Sequence, residues 1–270
     1  MHRHRRLLII LCLLLLLAVA AGRNASAGKT EPPVTDRLRE ILDLVSPRLE
    51  SEMAAEGFQL GAPVFLRVFK LPGILEAWVK KNGRFGLFRT YPICDFSGYP
   101  GPKLREGDWQ SPEGFYTVTA ARMHPKSSYH LAFNIGYPNE FDQSLGRTGG
   151  NIMVHGDCSS RGCFAMGDHR MEEIYTLVHR ALENGQETVD LHIFPFPLTP
   201  DNLARYDASP WIGFWRNLKQ GYDAFEETRR VPVIRVTKGR YLVEERFELA
   251  LGNAAGTATA PAAPRNPRYR

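Results

Sequence analysis

The stretch Ile152-Met153-Val154-His155-Gly156-Asp157-Cys158-Ser159-Ser160-Arg161-Gly162-Cys163-Phe164-Ala165-Met166 decides how this chain is read, because it brings two reactive side chains close together. Its apolar start predicts a short buried strand over residues 152–154, which delivers His155 into a loop of small and glycine residues. Cys163 follows eight positions later, directly after Gly162. A free thiol with a pKa of ~8.5 is only a few per cent ionised at neutral pH. A nearby imidazole can take its proton, so His155 is the candidate base and Cys163 the candidate nucleophile. Gly156 and Gly162 are expected to let the backbone turn, with amide N–H groups near Cys163 facing a developing oxyanion. Ser160 either orients His155 or shapes the loop. A lone histidine or cysteine is more often structural than catalytic. The pairing is what points to thiol acyl transfer.

Outward from this stretch the chain is rich in strand signals. Strands are predicted over residues 64–69, 74–79, 85–91, 115–119, 129–135 and 188–194, with Asn82-Gly83 as a hairpin turn between two of them. His130 and Asn134 fall on one of these strands and could line a cleft; the other reading of His130 is a packed strand histidine. Residues 92–114, rich in Gly and Pro, are expected to form a long ordered loop. Leu38, Ile41, Leu42, Val45 and Leu49 recur at helical spacing over residues 35–56, with Pro47 expected to kink or split the helix. A helix over 169–184 carries the stripe Met171, Ile174, Tyr175, Val178 and Leu182, with Asp168 as its cap and Gly185 as its stop. On it, His169 and His179 are assigned to the surface, whereas His192 is assigned to the core. A further helical region spans 201–228, broken at Pro210.

The N-terminus has a separate purpose. Arg3, Arg5 and Arg6 precede an apolar run from Leu7 to Ala21, and Ala25-Ser26-Ala27 reads as a cleavage site, the order of a secretory leader over residues 1–27. Fifteen apolar residues are short of the ~20 that span a bilayer, so membrane attachment is expected only if the leader stays uncut. The leader holds four arginines and no acid, so its removal takes the formal charge from +5 to +1. A nearly neutral body excludes nucleic acid as a partner, since that needs a clustered basic face. The apolar share of 43% is ample for a core. Residues 28–59 read as a linker and helix, 60–228 as a catalytic domain, 229–251 as an extension and 252–270 as a tail with little to bury. Past the leader three cysteines remain, so Cys94 and Cys158 are the candidate disulfide pair if Cys163 is the nucleophile; the other reading has both buried as small apolar residues.

The pairs His155-Gly156 and Ser160-Arg161-Gly162-Cys163 resemble the catalytic signature of the L,D-transpeptidase (YkuD-type) family, and their close spacing resembles its YafK-type branch. Glu106-Gly107-Asp108, Ser111 to Tyr116, Tyr129 to Asn139 and His192 to Phe196 are similar to segments of the same branch. The resemblance implies an α+β, β-rich fold: a mixed β-sheet catalytic domain flanked by N- and C-terminal helices. It implies a periplasmic enzyme acting on peptidoglycan stem peptides through a thioester on Cys163, with no cofactor and no metal. An amine acceptor then gives a cross-link or protein attachment, whereas water gives hydrolysis, for example release of a wall-bound lipoprotein. Two departures stand out. Many members carry histidine where this chain has Arg161, and arginine where it has Ala165; Arg161 either replaces the missing charge at the substrate or is a solvated surface residue.

Three rival readings remain. His155, Cys158 and Cys163 could be zinc ligands, but no fourth ligand is evident and the spacing is loose. Cys158 and Cys163 could be a redox pair, but C-x-x-C is absent. A non-catalytic wall-binding module would have no need of both nucleophile and base.

Overall fold

The computed structural model describes residues 30–244. The expected leader, the tail over 252–270 and the end of the extension lie outside the described residues.

Helix α1 (Asp36–Ala55) starts where Thr35 caps it, its hydroxyl accepting from Leu38 N. Leu38, Leu42, Val45, Leu49 and Met53 form the buried stripe, each worth roughly 1.5–3 kcal/mol when fully desolvated. The helix is not split at Pro47. Proline removes one donor, but the acceptor it orphans, the Asp43 carbonyl, lies on the exposed side, where water serves it.

Strands β1 (Val64–Phe69), β2 (Ile74–Lys81) and β3 (Arg84–Pro92) follow as antiparallel neighbours, then β4 (Asp95–Phe96), β5 (Gly114–Thr119), β6 (Met123–His124) and β7 (Ala132–Asn134). After the short helix α2 (Glu140–Ser144) come β8 (Met153–His155), β9 (Phe164–Ala165), helix α3 (Asp168–Glu183) and β10 (Thr188–Phe194). Helices α4 (Pro200–Arg205) and α5 (Ile212–Thr228) precede a hairpin of β11 (Val233–Thr237) and β12 (Arg240–Glu244). One five-stranded sheet runs β3-β2-β1-β10-β5 and the other β4-β9-β8-β7-β6. Both are mixed: β1 runs parallel to β10, and β8 parallel to β9. This is the α+β, β-rich architecture anticipated.

Strand β1 is buried along its whole length because it is covered on both faces. Leu66 and Val68 join the core beneath α1 and α3, whereas Phe65 and Phe69 join aromatic clusters on the α5 side. Helix α5 packs its apolar side into the core: Trp215, Leu218 and Phe225 are buried. The hairpin β11–β12, not foreseen in the extension, buries Tyr241 against Phe115 and Phe141. Two histidine assignments separate. His192 is core, as expected, but His179 is buried at 1% exposure rather than on the surface, because it lies one turn beyond Tyr175 on the inward face.

Candidate active site

The second sheet builds the site. Strand β8 ends at His155, and its parallel register with β9 pairs Val154 with Phe164 and His155 with Ala165. Carried back one step, that register sets Cys163 beside Met153, whose backbone N–H donates to Sγ at 3.4 Å. Side chains alternate across a sheet, so Met153, His155 and Cys163 share one face. Both reactive side chains line one cavity of about 850 Å³.

The imidazole is 3% exposed and held from two sides. Its Nδ1 lies 2.5 Å from the Gly156 carbonyl, which can only accept, so Nδ1 carries the proton and Nε2 keeps the lone pair. The Tyr129 ring packs 4.8 Å from it. Burial holds the His155 pKa below its ordinary value, outweighing the Gly156 bond and the acids Asp157 and Asp95. Burial raises the Cys163 thiol, against the Met153 N–H and the Lys103 charge. The resting pair is therefore thiol and neutral imidazole. Among the described residues, the sulfur's hydrogen-bond partners are Met153 N and, at 3.7 Å, Asn151 O.

The loop between them is pinned from a distance. Gly156 has no room for a side chain: a Cβ would lie 2.7 Å from Asp168 Oδ1 and 2.8 Å from His130 Cβ. Asp168 is not the cap of α3, a position held by Gly167; its Oδ1 accepts from Asp157 N at 2.7 Å and so anchors the loop. Ser160 shapes the loop and does not orient His155, since its hydroxyl donates to the Cys163 carbonyl at 2.8 Å. Ser111 donates to the same carbonyl, and Asp95 accepts from Ser160 N. Gly162 has φ +116. Its N–H is spent on Ser97 Oγ and Ser160 Oγ, so it does not face an oxyanion as the sequence led us to expect.

Two weaker assignments are corrected. His130 is turned from the cavity, its ring accepting from Arg37 and donating to Glu172 Oε1 at 2.8 Å; with φ 65 it stands outside the strand expected there, which begins only at Ala132. Tyr129 lines the cavity in its place. Asn134 is also absent from the lining, and its side-chain Oδ1 accepts from Gly136 N at 2.8 Å. Arg161 does line the cavity. Cys94 and Cys158 are joined by a disulfide and Cys163 is free. The bridge takes Cys158 out of both the zinc set and the redox pair.

Residues 76–191 match the L,D-transpeptidase catalytic domain family, YkuD. YafK of Escherichia coli, provisionally named an L,D-transpeptidase, is 44% identical over 186 residues spanning 69% of this chain and 76% of that protein, in strain K12 and O157:H7 alike. The chain belongs to the L,D-transpeptidase family. The identity to YafK agrees with the branch that the close spacing of the two motifs resembles. Looser likenesses among solved structures are the helical cell shape determining protein Pgp2 of Campylobacter jejuni, 19% identical over 69% of this chain and 79% of that one at a TM-score of 0.40, and Bd1075 of Bdellovibrio bacteriovorus, 18% identical over 59% and 71% at 0.39.

Several residues that build this transpeptidase-family site escaped the sequence. Tyr129, Asp95, Ser97 and Lys103 act across long sequence separations, Asp95 meeting Ser160 from 65 residues away, whereas Asp168 reaches back 11 residues to Asp157 N. Only Ser111, inside the Ser-Pro-x-Gly resemblance, carried a local signal.

Proposed function

We propose that the protein is an exported thiol acyltransferase acting on the stem peptides of peptidoglycan. The observation that supports it best is that Cys163 and a buried, neutral His155 share one sheet face and one cavity. In this reading a rotation of the Cys163 side chain brings the thiol to Nε2 of His155. The sulfur attacks a peptide carbonyl while its proton passes to Nε2. The oxyanion meets the Cys163 amide, since that of Gly162 is engaged. Collapse expels the stem-peptide amine, which takes the proton from His155 and leaves the acyl group on sulfur as a thioester. An acceptor amine then attacks, gives its proton to Nε2, and displaces the sulfur, which recovers that proton.

The leader suits this work in the periplasm, and the disulfide suits an oxidising compartment. The same thioester hydrolyses if water reaches it before an amine, which would free a stem peptide or a lipoprotein attached to one. Defined muropeptides incubated with the protein, with and without an amine acceptor, distinguish the outcomes by product mass. New cross-linked masses that require Cys163 support transfer. Shortened peptides alone reassign the protein as a hydrolase, and no thiol-dependent change rejects both.

A further inference from the structure

Among the described residues, the cavity beside Cys163 is lined by Lys126, Arg161, His124 and His155 among its charged and titratable side chains, and by no aspartate or glutamate. A cleft with cations and no carboxylate favours an anionic ligand. Arg161 stands two residues before the nucleophile. Among the described residues its charged group meets no acid; the guanidinium instead covers the ring of Trp109, 5.3 Å from the centroid.

Trp109 is an unusual partner. It is 58% exposed and has φ 55, a left-handed conformation that a bulky side chain rarely adopts. Both neighbours hold it there. The Asp108 carboxylate accepts from Leu104 N at 2.8 Å, from Arg105 N at 3.0 Å and from Gln110 N at 3.2 Å. The Gln110 amide donates to Tyr99 O at 2.6 Å and Gly101 O at 2.7 Å. A large apolar ring is thus fixed in strained backbone and left outside the core, where, among the described residues, the cation over it is Arg161. Strain retained by surrounding bonds marks a position that packing alone does not explain.

We propose that Arg161 is the anion-binding residue for the acyl donor: it pairs with a carboxylate on the peptide whose carbonyl Cys163 attacks, and Trp109 is the positioning residue that braces it. The inference rests on the acyl-transfer reading and names the substrate feature that reading leaves open. A guanidinium stacked on a ring keeps its in-plane N–H groups free for bidentate pairing, and the brace lowers the freedom lost on binding. Ala165, two residues after the thiol on β9, is fully buried and offers no charge.

Two stem peptides that differ in one group test this, one with a free carboxylate on the residue bearing the scissile carbonyl and one with the carboxamide. Calorimetry on Cys163→Ala reads binding without turnover. The free carboxylate should bind tighter by about tenfold to a hundredfold, the worth of one charge-assisted pair. Adding Arg161→Ala should erase that preference. In the reactive protein, Trp109→Ala should raise KM more than it lowers kcat, and Trp109→Phe should recover most of the loss. Equal binding of the two peptides overturns the proposal, as does a preference that survives Arg161→Ala but disappears in Lys126→Ala. Failure of the acyl-transfer reading shows separately, as preferential binding without any thioester on Cys163 in the reactive protein.

Discussion

The Tyr129 ring lies 4.8 Å from the His155 ring at an interplanar angle of 41°, so the candidate base is packed by a residue that also walls the cavity. Aromatic pairs of this kind contribute roughly 0.5–1.5 kcal/mol beyond burial. Tyr129→Ala should therefore lower kcat by about fivefold, while Tyr129→Phe keeps most of it. Steady-state kinetics on one donor peptide read the difference. Equal losses in both variants would assign the effect to the hydroxyl instead.

The pH profile follows from burial at the two reacting groups. Burial disfavours imidazolium, so His155 stays neutral, and competent as a base, below 6.5. The acidic limb of kcat/KM should sit under that value. Burial also disfavours the thiolate, so alkylation of Cys163 by iodoacetamide in the absence of substrate should be slow at pH 7 and rise only above the ordinary thiol range. A rate of alkylation already at its plateau at pH 7 would contradict the resting thiol.

His192 makes the fold sensitive to acid. It is sealed among Phe65, Phe115 and Phe194, and burial, followed by the Arg67 charge, pushes its pKa down to about 3. Unfolding returns it to its ordinary value, so between pH 6.5 and 3 the unfolded chain binds more protons and stability falls as pH falls. This one residue should cost about 3 kcal/mol between pH 7 and pH 4. Urea titrations at both pH values should show that loss reduced in His192→Phe.

Glu113 holds together the loop that carries Trp109 and Ser111. One carboxylate oxygen accepts from Lys70 Nζ at 3.0 Å and Gly101 N at 2.6 Å, the other from Trp215 Nε1 at 2.8 Å, and both ends of the ion pair are fully buried. Breaking one side of such a pair costs about 3–5 kcal/mol. Glu113→Gln and Lys70→Met should each show losses of that order by chemical denaturation, and the double variant should lose less than their sum.

The bridge between Cys94 and Cys158 ties the loop between His155 and Cys163 to the start of β4 across 64 residues. Closing a loop of that length stabilises by about 4 kcal/mol in the chain-entropy account. Cys94→Ser with Cys158→Ser should lower the thermal midpoint and leave Cys163 reactive. Loss of all Cys163 reactivity with the fold intact would place the bridge inside the chemistry.

What could be read from the sequence was what short range determines. Local patterns placed α1, α3 and all five strands of the first sheet, and the apolar run before His155 anticipated a strand followed by a glycine loop. The errors have physical causes. Pro47 does not split α1, because the carbonyl it orphans faces water. Asp168 resembled a cap from its position, yet its carboxylate is drawn to Asp157 N instead. For His130 the sequence leaves two readings, a cleft residue and a packed strand histidine; its left-handed backbone and its bonds to Arg37 and Glu172 keep it out of the cavity. The hairpin β11–β12 was missed because only the packing of Tyr241 gives that segment a reason to be ordered.

The most direct test of the account is the mass of the protein after brief exposure to a stem-peptide donor without acceptor. The account predicts a covalent acyl adduct that maps to Cys163, is released by hydroxylamine, and is lost in Cys163→Ser and strongly reduced in His155→Ala. An adduct elsewhere, or an undiminished adduct in His155→Ala, would contradict it.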